Sequence, residues 1–292
     1  MVENVFFPVT LEETVGLLAS LPEAKVLAGG TDLLVAIKEG KEKPRFFVSL
    51  SKITSQQVIE FKVDGLRIGA TATHQSIAEN AAVKAKYTAI AEAAGQIGSW
   101  QVRNLATVGG NLCSAVPSAD IAPPLLAFGA DVKLISRQGE RTVPLSGFFQ
   151  GPMQTVMEPG ELLAEINVPL VPKSCGSCYL KLGPRAAVDI ALVSAAAMVV
   201  VEDGICRSSG LALGAVAPTP LKVTEAEVAL VGTKLTEDDI ERAAAIAASA
   251  ARPIDDHRAS AGYRRKMVAV LTRRALQKAR ELALSSGREV ER

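Results

Sequence analysis

The chain is poor in the groups that most readily announce a function. Of 292 residues only four are cysteine and two are histidine, and aromatic side chains make up 4% of the total. Four cysteines are too few for a disulfide scaffold at this length. Cys175 and Cys178 have the spacing of a metal or redox pair, but a structural zinc site wants a second pair, and His74 and His257 supply none in a matching pattern. A thioredoxin-like motif should lie between a strand and a helix, whereas this one follows Pro169 and Pro172 and precedes a strand. The pair reads as incidental thiols in a loop.

No charge sign dominates: 32 basic against 31 acidic residues leave a net +1, which gives no general pull toward nucleic acid or a membrane surface. The longest apolar run, Ile190 to Val201, already contains Ser194 and falls well short of the roughly twenty residues that span a bilayer. Glu3, Asn4 and Pro8 interrupt any secretory leader. The expectation is a soluble cytoplasmic protein without membrane insertion.

Small and apolar residues are plentiful. The chain is 48% hydrophobic with much alanine, as packed helices require, and is long enough for one large or two medium domains. Two glycine pairs stand out, Ala28-Gly29-Gly30-Thr31-Asp32-Leu33 and Thr107-Val108-Gly109-Gly110-Asn111. Consecutive glycines let bare backbone approach a ligand, and their N–H groups can form an anion-binding nest.

Thr10 and Glu13 form a capping box ahead of an apolar face at Val15, Leu17, Leu18 and Leu21. Residues 25–28 read as a buried strand feeding the first glycine turn, after which Thr31 or Asp32 can cap a helix over 33–38. That arrangement sets backbone N–H groups and the positive helix end beside a phosphate. A strand is expected at 46–50, hairpins at Val63-Asp64-Gly65, Arg137-Gln138-Gly139-Glu140 and Glu202-Asp203-Gly204, and helices near 75–80 and 87–97. Two prolines mark a boundary within 168–174. Beyond it come strands at 179–182, 195–201 and 205–213, a helix capped at Thr236, and a last helix with Tyr263, Met267, Val270 and Leu271 at helical spacing.

Either glycine pair alone reads equally well as a tight turn. The first lacks the three spaced glycines of the dinucleotide fingerprint and the Gly-Lys-Ser/Thr of a phosphate loop. Asp32 would repel a phosphate unless it points elsewhere. Near the second pair, Thr107 and Ser118 can donate to phosphate oxygens and Asp120 can accept from ribose hydroxyls, while Arg103 is the nearest cation or an ordinary salt-bridge partner. Two such turns in one domain suggest a pyrophosphate held from both sides.

Further stretches fall in line with these: Gly69-Ala70-Thr71-Ala72-Thr73-His74, Arg103 to Asn111, Ser118-Ala119-Asp120, and Glu161-Leu162-Leu163 with Pro169 beyond. Lys181 with Arg185 and Asp189-Ile190-Ala191 follows, then Tyr263-Arg264. The ordered set covers almost the whole chain and resembles the FAD-binding medium subunits of molybdenum hydroxylases, the group that includes xanthine dehydrogenase and aerobic carbon monoxide dehydrogenase.

The resemblance implies an α+β, vanillyl-alcohol-oxidase-like (PCMH-type) FAD-binding fold. An FAD-binding domain would occupy 1–172, as two α/β subdomains of approximately 1–55 and 56–172, and a C-terminal α+β flavoprotein domain 173–292. It implies that Ala28, Gly29, Gly30, Thr31, Asp32 and Leu33 wrap the pyrophosphate from one side, and Thr107, Gly109, Gly110 and Asn111 from the other, with Ser118 donating nearby. Asp120 would meet the ribose or adenine end, with Leu163 packing near the adenine. Lys181 would approach the opposite, flavin end, where a cation could favour the anionic reduced flavin. Thr31 stands where related flavoproteins place a histidine that binds FAD covalently, so FAD would be non-covalent.

The implied partners are a large molybdopterin subunit and a small [2Fe-2S] subunit, in a dimer of heterotrimers. Four cysteines could not ligate two clusters that take four ligands each, and no cysteine-bearing insertion is visible. The implied role is to take electrons singly from a partner's clusters, store two on FAD and hand them to an external acceptor, with no catalytic residue of its own. Competing readings are a stand-alone FAD oxidase of the wider fold and a non-enzymatic nucleotide-binding or assembly protein. His74 is expected to be a helix-start residue rather than a flavin-edge proton donor. The basic cluster Arg264, Arg265, Lys266, Arg273 and Arg274 is expected to be a solvated helix face rather than a docking surface.

Overall fold

The structure, a computed structural model, describes residues 3–185 and 188–288, with the backbone alone at 286–288. Its strands form three principal sheets in sequence order. In the first, β1 (Asn4–Phe6), β2 (Ala24–Leu27) and β3 (Phe46–Ser49) run parallel in the order β1-β3-β2, with α1 (Leu11–Ser20) and α2 (Leu33–Lys38) between them in sequence. The expected cap of α1 forms: the Thr10 hydroxyl accepts from the Glu13 amide, while the Glu13 carboxylate reaches back to the Val9 amide. Val15 and Leu18 then pack with Val48, Leu50 and Ile53 in a small core.

The second part begins with β4 (Ile59–Lys62) and β5 (Gly65–Gly69), then the short helices α3 (His74–Glu79), α4 (Ala81–Lys86), α5 (Thr88–Gly95), α6 (Trp100–Leu105), α7 (Val108–Ser114) and α8 (Ala122–Ala127). It continues with β6 (Asp131–Ser136), β7 (Gly139–Pro144), the ribbon of β8 (Phe149–Gly151) and β9 (Gln154–Thr155), and β10 (Leu162–Pro169). The sheet is antiparallel in the order β4-β5-β10-β6-β7. Both expected hairpins are present in it. The Gly109-Gly110 pair, expected as a turn, lies instead inside α7, because Thr107 caps that helix from the residue before it.

Past Pro172, β11 (Cys175–Leu182), β12 (Val193–Glu202), β13 (Ile205–Gly214) and β14 (Leu221–Lys222) make an antiparallel sheet in that order, followed by α9 (Thr224–Leu230), α10 (Glu237–Ala250) and α11 (Ala261–Arg288). The β12–β13 turn places Asp203 at φ 52° and Gly204 at φ 73°, the positive pair that matches strand twist in a two-residue hairpin. Thr236 and Asp239 complete a capping box at α10.

β12 explains the apolar run noted in the sequence. Ala196, Met198 and Val200 face the core built on Leu66, Ile68, Ile90 and Leu125, whereas Val193, Ala195, Ala197, Val199 and Val201 face the core beneath α10 and α11. A strand covered on both faces needs no polar alternation, and burial of each Val or Met contributes about 1.5–3 kcal/mol. The two prolines therefore separate the sheets but not the cores. The free edge of β11 is covered by α5, since the Tyr179 amide donates to Glu92 Oε2 at 2.7 Å and Ser177 Oγ accepts from the Ala89 amide at 3.1 Å.

Cys175 and Cys178 lie on this strand, not in a loop. Strand alternation turns them to opposite faces, and burial pushes both thiols up to about 12, Glu92 adding to the effect at Cys178. Among the described residues no helix is long and apolar enough to cross a membrane.

Candidate functional site

The two glycine motifs lie against each other. Gly29 abuts the Leu105 carbonyl so closely that an added Cβ would come within 2.0 Å of its oxygen, and the position of a Cβ on Gly110 is 4.0 Å from that of Ala28. Asp32 Oδ2 accepts from Ser114 Oγ at 2.7 Å, which turns the carboxylate onto α7 and away from the repulsive role its sequence position suggested. Asp32 thus precedes α2 without capping it.

Their backbones differ. No acceptor among the described residues meets the amides of Gly29, Gly30, Thr31, Asp32 and Leu33. A run of unclaimed N–H groups entering a helix is a donor set suited to an anion. In the second motif every amide from Val108 to Asn111 is spent: Val108 donates to Ala72 O, Gly109 to Ala70 O, Gly110 to Thr107 Oγ1 and Asn111 to Thr107 O. A Cβ on Gly109 would fall 2.7 Å from both the Cβ and the carbonyl oxygen of Ala70. This glycine therefore serves helix-on-strand packing, which corrects the expectation that it brings bare backbone to a ligand. What the second motif leaves open is Asn111 Oδ1, buried without a hydrogen-bond partner. An orphaned buried acceptor costs about 1–3 kcal/mol.

Beside both motifs lies a cleft of about 750 Å³ whose lining includes Asp32, Asn111, Ser118 and Asp120 from the first half of the chain and Arg185, His257 and Arg258 from the second. The volume is that of a site for a sizeable small molecule. A second groove of about 710 Å³, between α1 and the β6–β7 hairpin, shares none of these residues.

Asp120 is nearly buried at the cleft wall, just ahead of α8. Its Oδ1 accepts from the Tyr179 hydroxyl at 2.6 Å and its Oδ2 from Lys181 Nζ at 2.7 Å. Burial pushes the carboxyl upward and the Lys181 ammonium opposes it only in part. Both donors come from β11, where residues two apart share a face. This geometry corrects the expectation that Asp120 and Lys181 sit at opposite ends of a cofactor: they are one ion pair. Lys181 is accordingly no free cation for a reduced flavin. Tyr179 was missed in the sequence, although its alternation with Lys181 on an expected strand carried the signal.

Other expected residues divide. Leu163 is 3% exposed and belongs to the large core, so its side chain is no wall for an adenine. Ser118 lines the cleft and its hydroxyl has no partner among the described residues. Arg103 is a structural clamp, donating to Gln75 Oε1 and to the carbonyls of Ile97 and Gly98. His74 begins α3 behind the Thr73 cap, fully buried, with both ring nitrogens unpartnered; burial and then the Arg103 charge bring it down to about 4.

Arg264, expected on a solvated face, is 3% exposed. Its Nη1 donates to Leu192 O at 2.9 Å and its Nη2 lies 2.7 Å from Asp256 Oδ1. Asp256, held down to about 2 by the Arg258 amide and by Arg264, thereby fastens the segment that brings His257 and Arg258 to the cleft.

Comparison with known proteins agrees with this architecture. Residues 1–171 match the family model described as the FAD binding domain in molybdopterin dehydrogenase, and residues 178–279 match that of the CO dehydrogenase flavoprotein C-terminal domain. The chain is 33% identical to the xanthine dehydrogenase FAD-binding subunit of Escherichia coli O157:H7, over 92% of this chain and 93% of that one. It is 34% identical to the carbon monoxide dehydrogenase medium chain of Afipia carboxidovorans, over 94% and 96% respectively. Among solved structures, carbon monoxide dehydrogenase from Hydrogenophaga pseudoflava superposes with a TM-score of 0.92 at 32% identity, covering 97% of this chain and 98% of that one. The fold is thus the PCMH-type FAD-binding fold, and the cofactor is FAD. The unclaimed amides of the first motif and the orphaned Asn111 oxygen are what an anionic, hydroxyl-bearing nucleotide would complete. The chain belongs to the family of FAD-binding medium subunits of molybdenum hydroxylases.

Proposed function

We propose that the chain is the flavin station of a three-subunit molybdenum hydroxylase, and that its cofactor pyrophosphate lies on the amides of Gly29 to Leu33. The observation that carries the reading is that run of unclaimed amides, whose Asp32 lines a cleft shared by both halves of the chain. Bound FAD supplies a two-electron store, filled singly from a partner's iron–sulfur clusters and emptied to an external acceptor. The chain's own residues bind and orient it.

On this reading Ala28 backs the first loop, and Thr31 adds a hydroxyl to its amides. Thr107 holds α7 in place through its cap while Gly110 and Asn111 close the far side, with Ser118 as a further donor. Asp120, paired with Lys181, receives a cofactor hydroxyl. The division of labour falls near Pro172: residues 1–172 carry the phosphate and nucleotide contacts, and residues 173–292 close the cleft with Arg185, His257 and Arg258. FAD is held non-covalently, Thr31 replacing the histidine that would form a bond, so acid precipitation should release it to the supernatant.

The relatives named above are themselves subunits or chains of larger enzymes and match over almost their full length, which favours this role over a stand-alone oxidase. We place the complex in the cytoplasm as a dimer of heterotrimers, a setting compatible with four unpaired thiols. Affinity isolation of this chain from its own cells tests the reading. Equimolar recovery with a molybdopterin subunit and an iron–sulfur subunit, with one FAD per chain, is expected. A lone yellow protein that oxidises a substrate by itself would overturn it.

A further inference from the structure

We propose that Tyr179 is a positioning residue for the cofactor, holding Asp120 as the carboxylate that receives a cofactor hydroxyl. The inference rests on the placement of Asp120 at the cofactor given above and goes one residue deeper.

A carboxylate at a cleft wall can rotate about its terminal bond and present either oxygen, or turn away. Asp120 is prevented from doing so by two donors at different angles: the Tyr179 hydroxyl holds Oδ1 at 2.6 Å, and Lys181 Nζ holds Oδ2 at 2.7 Å. Both donors are themselves fixed. Tyr179 is 1% exposed in the large core, with its amide tied to Glu92 Oε2, and Lys181 also donates to Gln96 O at 3.3 Å. The phenol and the ammonium leave each carboxylate oxygen with an unused lone pair, and Asp120 forms part of the cleft lining.

An ionised carboxylate accepts and cannot donate, so the group it selects is a hydroxyl donor and not a phosphate. Asp120 lies in the first half of the chain and both its clamps in the second. The β11 strand therefore sets the geometry of a contact it does not make.

The test is a double-mutant cycle on the full chain, reading FAD affinity by flavin fluorescence and the visible circular dichroism of the bound flavin. Y179F, which keeps the ring and loses the hydroxyl, frees Asp120 to turn and should weaken FAD about tenfold and alter the flavin dichroism. D120N should weaken it at least as much. The pair Y179F/D120N should be no weaker than D120N alone, because Tyr179 acts through Asp120.

If D120N binds FAD as the wild type does, the placement of Asp120 at the cofactor is wrong. If D120N weakens binding but Y179F does not, or the two losses multiply, Asp120 stays at the cofactor and the positioning role falls. Should Y179F fail to fold, 3-fluorotyrosine at position 179 keeps the ring and the hydroxyl and changes only its acidity; a shift in FAD affinity that vanishes in D120N is expected, and no shift, or the same shift in D120N, contradicts the positioning role.

Discussion

The two Gly-Gly pairs are alike in sequence and unlike in what they do. Gly29 and Gly109 each press backbone to backbone, on the Leu105 carbonyl and on Ala70 respectively, so both positions exclude a side chain for internal reasons. After Gly29 the chain leaves five successive amides, Gly29 to Leu33, without an acceptor, whereas after Thr107 every amide from Val108 to Asn111 is bonded within the protein. A glycine pair thus marks close approach, and only the hydrogen bonds that surround it tell whether the approaching partner is a ligand or the chain itself. On the proposed placement of the pyrophosphate the first motif is a cradle, and the second is the packed wall that holds it.

The sharpest way to break this contrast is to add one methyl group at each pair. G29A forces Leu105 or the first loop to move, and FAD affinity should fall by about a thousandfold, or ~4 kcal/mol, read by fluorescence titration. G109A should instead destabilise the fold by about 1–3 kcal/mol through overpacking on Ala70, while the folded fraction keeps FAD affinity within about twofold. Equal losses of affinity in both would erase the distinction.

His74 tests the second motif as a packing element, since its amide bonds to Ala106 O just before Thr107. Its folded value of about 4 lies below the ordinary 6.5. Between those values the unfolded chain holds a proton that the folded chain refuses, so stability is fully present above pH 6.5 and is lost as pH falls toward 4. The span of about 2.5 units corresponds to roughly 3 kcal/mol. H74L should remove this component of the pH slope in denaturant titrations, and at neutral pH should leave stability unchanged or raise it by about 1 kcal/mol, because two orphaned ring nitrogens disappear. An unchanged slope would show that His74 is not protected as its burial implies.

The smallest effect is expected at the tie between the motifs. S114A frees the Asp32 carboxylate to turn back toward the first loop, and FAD affinity should fall about fivefold, roughly 1 kcal/mol. D32N/S114A should recover most of that loss, because the repulsive charge is gone. No recovery would place Asp32 outside the phosphate's field.

Local chemistry was legible where it is short-range. The Thr10 and Thr236 caps, the three hairpin turns and the first strand–glycine–helix unit all depend on residues within a few positions of one another. The brief elements β1, α4 and α6 were not legible, because three to six residues carry too little periodicity to be read. In the site, the first motif and Ser118 and Asp120 stood out by residue type. The pairing of Asp120 with Tyr179 and Lys181 joins a bend ahead of α8 to a strand about sixty positions further on, and nothing local to Asp120 indicates it. Leu163 misled because an apolar residue beside a motif looks the same whether it faces a ligand or the core.

The division between cradle and wall is tested most directly by amide hydrogen exchange on the full chain, stripped of FAD and then reloaded. FAD should add strong protection to the amides of Gly29 to Leu33 and leave those of Val108 to Asn111 unchanged, since the latter are bonded in either state. Protection gained at Val108 to Asn111, or none at Gly29 to Leu33, would contradict the account.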